Sequence, residues 1–86
     1  MIQTLVKKKH PFLVEFAAKI RNRRYSLSLT QEQLAERTGL HVNYIGGIER
    51  ACRNPSLLSI AILAKGLECT ITELLTQDHH VESCKD

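Results

Sequence analysis

The sequence predicts an all-α fold, a compact bundle of five short helices. Five segments carry apolar residues at helical spacing, and each is bounded by residues that begin or end helices. No segment shows the alternation of apolar and polar residues that predicts a strand. With 86 residues, of which 43% are hydrophobic and 24% charged, the chain has the size and composition of one globular domain.

The first predicted helix covers residues 12–25. Pro11 suits the first position of a helix, because the N–H that proline lacks would have no partner there. A stripe of residues spaced by four then lies on one helical face. The stripe consists of Phe12, Phe16, Ile20 and Arg24. We therefore expect an amphipathic helix whose apolar face packs on the core.

The second and third predicted helices are joined by only Gly39 and Leu40. Thr30 and Gln33 form a capping box that begins the second helix and turns Leu34 toward the core. Gly39 ends this helix, since glycine readily adopts the left-handed conformation. Such a short connection is typical of two helices held at a large angle.

The third predicted helix begins near His41 or Val42 and ends near Arg50, with Ile45 and Ile48 facing the core. An Asn-Pro-Ser break follows, and its serine caps a fourth helix over residues 57–65.

Gly66 is expected to close the fourth helix. A fifth helix, from residue 71 to about residue 77, begins with a capping box formed by Thr70 and Glu73.

The chain divides into an N-terminal arm (residues 1–10), a helical domain (11–77) and a C-terminal tail (78–86). No apolar run approaches the roughly 18 residues that a membrane span needs. Three lysines stand in the N-terminal stretch, where a signal peptide would need apolar residues. The three cysteines lack the spacing of a metal or redox motif and fit a reducing compartment. These features predict a soluble, cytoplasmic protein.

Charge is distributed unevenly along the chain. Residues 1–53 hold ten of the twelve Lys/Arg and four of the nine Asp/Glu, a net charge of +6. Residues 54–86 hold the other two basic and five acidic residues, a net charge of −3. The basic section suggests a surface that meets a polyanion, and nucleic acid is the commonest one in solution.

Several motifs agree in order and spacing with those of the lambda repressor and Cro-like helix-turn-helix family, which this chain resembles over about residues 12–75. The motifs are TQEQLA (30–35), TGL (38–40), YI (44–45), IER (48–50) and RNPSL (53–57). The resemblance implies a five-helix bundle that binds duplex DNA, usually as a homodimer on a palindromic operator. Within the family, YIGGIER (44–50) and KGLE (65–68) are most similar to the controller proteins of bacterial restriction-modification systems.

The third helix is the candidate DNA reader, because the major groove is about 12 Å wide and admits one exposed helix. Residues expected to face outward toward the bases are His41, Val42, Asn43, Tyr44, Gly46 and Gly47. The Asn43 carboxamide suits a bidentate contact with adenine, and Val42 suits a thymine methyl. Asn43 could instead be a solvated or capping residue, and Val42 could pack on its own helix.

The pair Gly46-Gly47 lies inside a helix, where each glycine costs roughly 1 kcal/mol against alanine. Close approach to DNA is one explanation of that cost, and a tight helix crossing is the other.

Phosphate contacts are expected at the ends of this unit. Gln31 begins the second helix, where free N–H groups favour an anion, and the resemblance implies a backbone contact there too. Arg50 and Arg53 follow the reading helix and either reach the sugar-phosphate strand or belong to a solvated charged loop. The lysines at 7–9 are either a DNA-contacting arm or a solvated charge run.

The resemblance assigns Arg24 and Glu49 a structural role, since family members with this pattern pair the corresponding residues.

The fourth helix is apolar nearly all round, so a bundle of this size cannot bury every face of it, and a second copy of the chain is the expected cover. The stripe expected to seat the helix on the core is Leu57, Ile60, Ala61 and Ala64. The residues assigned to a homodimer interface are Leu58, Ile62, Leu67, Ile71 and Leu75, of which the last three could instead extend the core.

No catalytic motif is present, and the sequence predicts no enzyme activity, cofactor, metal site or small-molecule effector. His79, His80 and Cys84 make a poor metal set, because adjacent histidines diverge and a fourth ligand is missing. The predicted function is a homodimeric regulator that binds double-stranded DNA. The alternatives are an antitoxin that represses its own operon and also binds a toxin, and a helical adaptor.

Overall fold

The computed structural model describes residues 9–76, so most of the predicted arm and all of the tail, with His79, His80 and Cys84, lie outside the described residues. The described range forms the helices α1 (Pro11–Ser26), α2 (Gln31–Thr38), α3 (Val42–Glu49), α4 (Leu57–Gly66) and α5 (Ile71–Leu75). It contains no strand, and the predicted all-α bundle of five helices is confirmed. None of these helices is long and apolar enough to cross a membrane.

Three of the predicted caps are confirmed. In the first capping box, the N–H of Gln33 donates to Thr30 Oγ1 at 3.0 Å and the N–H of Thr30 donates to Gln33 Oε1 at 2.8 Å. In the second capping box, the N–H of Thr70 donates to Glu73 Oε1 at 2.9 Å and the N–H of Glu73 donates to Thr70 Oγ1 at 3.0 Å. Gly39 ends α2 with a φ of +78°, in the left-handed region.

The first helix begins with a cap that the sequence analysis missed. Pro11 takes the first helical position, as predicted, and His10 Nδ1 accepts the N–H of Phe12 at 3.1 Å. Histidine is not among the common N-cap residues, so propensity alone does not indicate it.

Two predictions about helix ends are wrong. Gly66 does not stop α4 but belongs to its last turn, and Glu68 takes the left-handed conformation instead, with a φ of +58°. A Cβ at Gly66 would lie 2.7 Å from Thr38 Cγ2, so this glycine allows α4 to pack closely on α2. The last helix ends at Leu75, two residues earlier than expected.

Every helix contributes at least one fully buried side chain to the core, and the C-cap residue of α4 contributes another. These residues are Phe16, Ile20, Leu34, Ile45, Ile48, Leu63, Leu67 and Leu74. The inward positions predicted for α2 and α3 are confirmed, as are those of α1 except Phe12, which is 39% exposed in the first turn.

The predicted orientation of α4 is only partly right: Ala64 is buried in the core and Ile60 packs against it, as expected, but Leu57 does not. Leu57, assigned to the core, is 72% exposed, and Leu63 is fully buried in its place. Ser59 also faces inward, because its hydroxyl bonds the hydroxyls of Ser56 and Tyr44. Periodicity cannot orient a helix that is apolar nearly all round, and here the polar contacts of a buried serine fix its rotation.

A buried ion pair joins α1 to α3. Arg24 Nε donates to Glu49 Oε2 at 2.7 Å, and Nη2 donates to Oε1 at 2.9 Å. Each partner makes one further hydrogen bond, since Gln31 Nε2 donates to Glu49 Oε1 and Arg24 Nη1 donates to the carbonyl of Leu29. The side-chain hydrogen bond to Glu49 raises the pKa of Arg24 above its usual value, so the guanidinium stays charged.

Replacing Glu49 by alanine should lower the free energy of unfolding by about 3–5 kcal/mol, because it leaves the guanidinium of Arg24 buried without its counter-ion. Urea unfolding followed by circular dichroism measures the change. Glu36→Ala, at an exposed position of α2, is the matched control and should change stability by less than about 0.5 kcal/mol. If both variants changed the free energy of unfolding by the same small amount, the ion pair would contribute little to stability.

Candidate nucleic-acid interface

Helices α2 and α3 form one rigid unit against the rest of the bundle. They pack on each other, while α3 also packs on α1 and α2 also packs on α4. Thr38 ties the connection between them, because its Oγ1 accepts the N–H of Leu40 at 3.2 Å and donates to the carbonyl of Leu34 at 2.8 Å. Ile45 and Ile48 anchor α3 from below. Buried contacts on one side of α3 therefore fix the helix in place and leave its opposite side exposed.

The N-terminal turn of α3 is open to solvent at two of the predicted reading residues. His41 and Asn43 are exposed, and Val42 is half-buried. The His41 Nδ1 accepts the N–H of Asn43 at 3.0 Å and thereby caps the helix. Because Nδ1 is the acceptor, the ring proton of a neutral imidazole sits on Nε2, which can donate outward. The turn thus offers an imidazole donor and a carboxamide side by side.

Tyr44 is less available than the sequence analysis assumed. Its ring packs against the core, and its hydroxyl donates to Ser59 Oγ of α4 at 3.1 Å. The phenol oxygen can still accept a further hydrogen bond. Tyr44 is therefore a half-buried residue that links α3 to α4 and exposes one edge.

Gly46 and Gly47 lie on the outer side of α3, but they are covered and not open to solvent as predicted. Both are buried, because the side chains of Arg50 and Arg53 lie over them. A Cβ at Gly46 would lie 3.2 Å from Arg50 Nη1, and one at Gly47 would lie 2.6 Å from Arg53 Cγ. Sequence spacing shows these positions on the α3 surface, but a side chain folding back from the following loop is not visible in a helical pattern.

The predicted phosphate-contacting residues differ in availability. Arg50 and Arg53 are exposed. The side chain of Gln31 is engaged, since its Nε2 donates to Glu49 Oε1 at 3.0 Å. What Gln31 offers to an anion is its backbone N–H, which is among the first N–H groups of α2 and has no acceptor within the helix.

Two cations from the start of the chain cover the C-terminal end of α3, which sequence reasoning missed. Lys9 Nζ donates to the carbonyl of Arg50 at 2.6 Å, and Arg21 Nη1 donates to the carbonyl of Glu49. With Arg50 itself they line one depression beside the helix end. The lysine run at 7–9 and the basic residues of α1 are the signals in the sequence, and they do not reveal the partner carbonyls.

No group of three or more metal-ligating side chains occurs within residues 9–76. Cys52 is exposed next to α3, whereas Cys69 is half-buried and its pKa is raised by burial, which disfavours the reactive thiolate.

A family model described as Helix-turn-helix matches residues 20–74, a range that includes all of α2, α3 and α4. The chain belongs to this helix-turn-helix family. Among its relatives, control protein C.SmaI of Serratia marcescens is 48% identical over 61 residues, which make up 71% of this chain and 73% of that protein.

Solved structures of controller proteins share the fold. The restriction-modification controller protein C.AhdI from Aeromonas hydrophila matches with a TM-score of 0.74 and 42% identity, over 76% of this chain and 98% of that one. Controller protein C.Esp1396I, solved as a tetramer in complex with its natural 35 base-pair operator, matches with a TM-score of 0.69 and 33% identity, over 78% of this chain and 99% of that one.

This helix-turn-helix protein also carries an exposed apolar surface, which we call the α4 outer face. It consists of Leu57, Leu58, Ala61 and Ile62, on the side of α4 opposite the buried Leu63. Leu57 is 72% and Leu58 69% exposed, while Ala61 and Ile62 are half-buried.

Of the other residues assigned to an interface, Ile71 is exposed at the start of α5 and Leu75 packs partly against the core. Leu67 is fully buried, so its assignment to an interface is wrong. Its position just after the last turn of α4 makes it a core residue within one copy of the chain.

Proposed function

We propose that this protein is a sequence-specific regulator of transcription that binds duplex DNA as a homodimer on a palindromic operator and controls a restriction-modification system. The observation that carries the proposal is the exposed N-terminal turn of α3, held by buried contacts and flanked by arginines, in a chain similar to controller proteins over most of its length. The operator complex of a relative supports the same assignment. Selection of bound sequences from a random pool of duplexes tests it, since a palindromic consensus is expected.

In this proposal the first turn of α3 enters the major groove. Asn43 makes the bidentate contact with an adenine, through a carboxamide that is exposed and not used by the fold. His41 adds a donor at Nε2, and the half-buried Val42 offers an apolar surface to a thymine methyl.

Contacts to the two flanking strands hold the helix in place. Arg50 and Arg53 lie beyond the C-terminal end of α3, and the N-terminus of α2 offers free N–H groups and the positive end of its dipole to a phosphate. These contacts fix orientation and supply affinity, and they carry no sequence information of their own.

The α4 outer face is the proposed homodimer interface. Leu57 and Leu58 are each about 70% exposed, and exposure of apolar side chains to water is unfavourable. Packing against the same face of a second copy would bury them. A two-fold axis at this face would place the two α3 helices about one turn of DNA apart, roughly 34 Å.

The proposal treats the chain as a regulator without catalytic activity that acts in the cytoplasm, where an operator would be accessible. The antitoxin alternative gains no support, because the similar proteins quoted above are controllers.

DNA affinity should fall steeply with salt. Each neutralised phosphate contributes about −0.9 to the slope of log K against log salt, so two arginines per copy in a dimer give a slope of about −3.6 or steeper. Titrations of labelled duplex between low and physiological salt measure the slope. A flat dependence would contradict phosphate contact altogether.

Asn43→Ala and Arg53→Ala should differ in what they lose. The first should reduce discrimination at one base position in each half-site by about 1–3 kcal/mol, whereas the second should weaken operator and scrambled duplex alike. Competition binding with both duplexes separates the two effects. Arg37→Ala is the charge-matched control, because Arg37 is engaged with Gly66 and Glu68 at the other end of α2. Equal losses on both duplexes for Asn43→Ala would exclude its role in reading bases.

Leu58→Glu should produce a folded monomer with much weaker operator binding, because a carboxylate at the centre of an apolar interface is buried without a partner. Sedimentation equilibrium measures the oligomeric state. Val14→Glu is the matched control, since Val14 is 46% exposed on α1 and should leave the dimer intact. A wild-type chain that is monomeric at micromolar concentration and still binds its operator tightly would overturn the dimer.

A further inference from the structure

Of the two adjacent glycines of α3, Gly47 lies under an arginine side chain, whereas Gly46 lies under the side chains of Arg50 and of Gln31 from α2. The three heavy atoms nearest to a Cβ built on Gly47 all belong to Arg53, namely Cγ at 2.6 Å, Nε at 3.4 Å and Cδ at 3.6 Å. The stem of Arg53 therefore crosses α3 directly above Gly47. Only a residue without a side chain leaves room for that path.

A contrasting glycine in the same protein shows what a helix-packing role looks like. A Cβ on Gly66 would meet Thr38, Leu34 and Arg37, which are all residues of α2. Gly66 allows two helices to approach each other closely, whereas Gly47 leaves room for one side chain to lie on the surface of α3. The tight-crossing explanation of the α3 glycines therefore does not apply to Gly47.

We propose that Gly47 is a positioning residue for DNA binding, which acts by holding Arg53 in the conformation that contacts a phosphate. The inference rests on the proposed function, because it assumes that Arg53 meets DNA. An arginine stem that lies on the helix surface has fewer rotamers open to it before binding, so less entropy is lost when the contact forms. A methyl group at position 47 would occupy the space in which the Arg53 stem lies, without changing the charge of Arg53.

Gly46 provides a matched control in the neighbouring position. A Cβ there would lie at an ordinary contact distance of 3.6 Å from Gln31 Oε1, and it would meet Arg50 Nη1 at 3.2 Å, at the far end of a flexible side chain. That end can move by a few tenths of an ångström without redirecting the stem of Arg50. A Cβ on Gly47 meets Arg53 near its base, at Cγ, so the whole side chain must adopt another rotamer.

The fold should tolerate both substitutions. Alanine forms helix better than glycine, and Arg53 is exposed and can move into solvent. Gly47→Ala should therefore leave the melting temperature unchanged or raise it. A residue that merely packs the helix would lower both stability and binding when it is replaced.

A double-mutant cycle tests the proposal, with the wild-type chain, Gly47→Ala, Arg53→Ala and the double variant titrated against the selected operator at low salt. We expect Gly47→Ala to weaken binding roughly tenfold in the wild-type background, the size expected for a lost charged hydrogen bond, and less than about twofold in the Arg53→Ala background. Gly46→Ala should change affinity by less than about threefold, since Arg50 keeps its path.

The outcomes separate this inference from the function on which it rests. If the wild-type chain binds no duplex from the random pool, the proposed function is wrong. If the wild-type chain binds and Arg53→Ala weakens it, but Gly47→Ala has no effect or has the same effect in both backgrounds, Gly47 does not position Arg53. Melting curves of the four proteins complete the test. If Gly47→Ala lowers the melting temperature even in the Arg53→Ala background, the glycine serves the fold.

Discussion

The buried ion pair between Arg24 and Glu49 is the interaction on which the placement of the reading helix depends. It joins the last turn of α1 to the last residue of α3, and Gln31 adds the start of α2 to the same carboxylate. Burial of two charges is costly, and an apolar pair of similar volume would often give equal stability. What the ion pair adds is direction, because a bidentate contact between planar groups fixes both distance and angle.

The consequence extends to the residues proposed to face DNA. Gln31 and Arg50 lie on either side of Gly46, and Gln31 is held by the buried carboxylate. The α2 N-terminus and the end of α3 are thus connected to one buried network. A change at Glu49 would therefore disturb both the fold and the phosphate-contacting surface.

The five helices and several of their caps could be predicted from the sequence because these caps act locally. Thr30 with Gln33, Thr70 with Glu73, and Gly39 act through bonds to residues no more than four positions away. The rotation of α4 could not be predicted, because that helix is apolar on nearly every side. Ser59 decides it through Tyr44, which lies 15 residues away in the chain.

The candidate site was predictable in part for the same reason. The exposure of His41 and Asn43 follows from the inward positions of Ile45 and Ile48 on the same helix. The burial of Gly46 and Gly47 does not follow, since it depends on how two arginine side chains fold back from the next loop. Residue type and spacing identify which face a residue lies on, and only the packing shows what covers it.

The two ends of α3 complete the electrostatic picture. A short helix carries about half a positive charge at its N-terminus and half a negative charge at its C-terminus, and the negative end would repel a nearby phosphate. In this protein the last carbonyls of α3 accept hydrogen bonds from Lys9 and Arg21, so positive charge lies directly against the negative end. Arg50 and Arg53 continue the same positive region beyond it. Both ends of α3 therefore favour a polyanion, as the proposed DNA contact requires, with Lys9, Arg21 and Arg50 gathered at its C-terminal end.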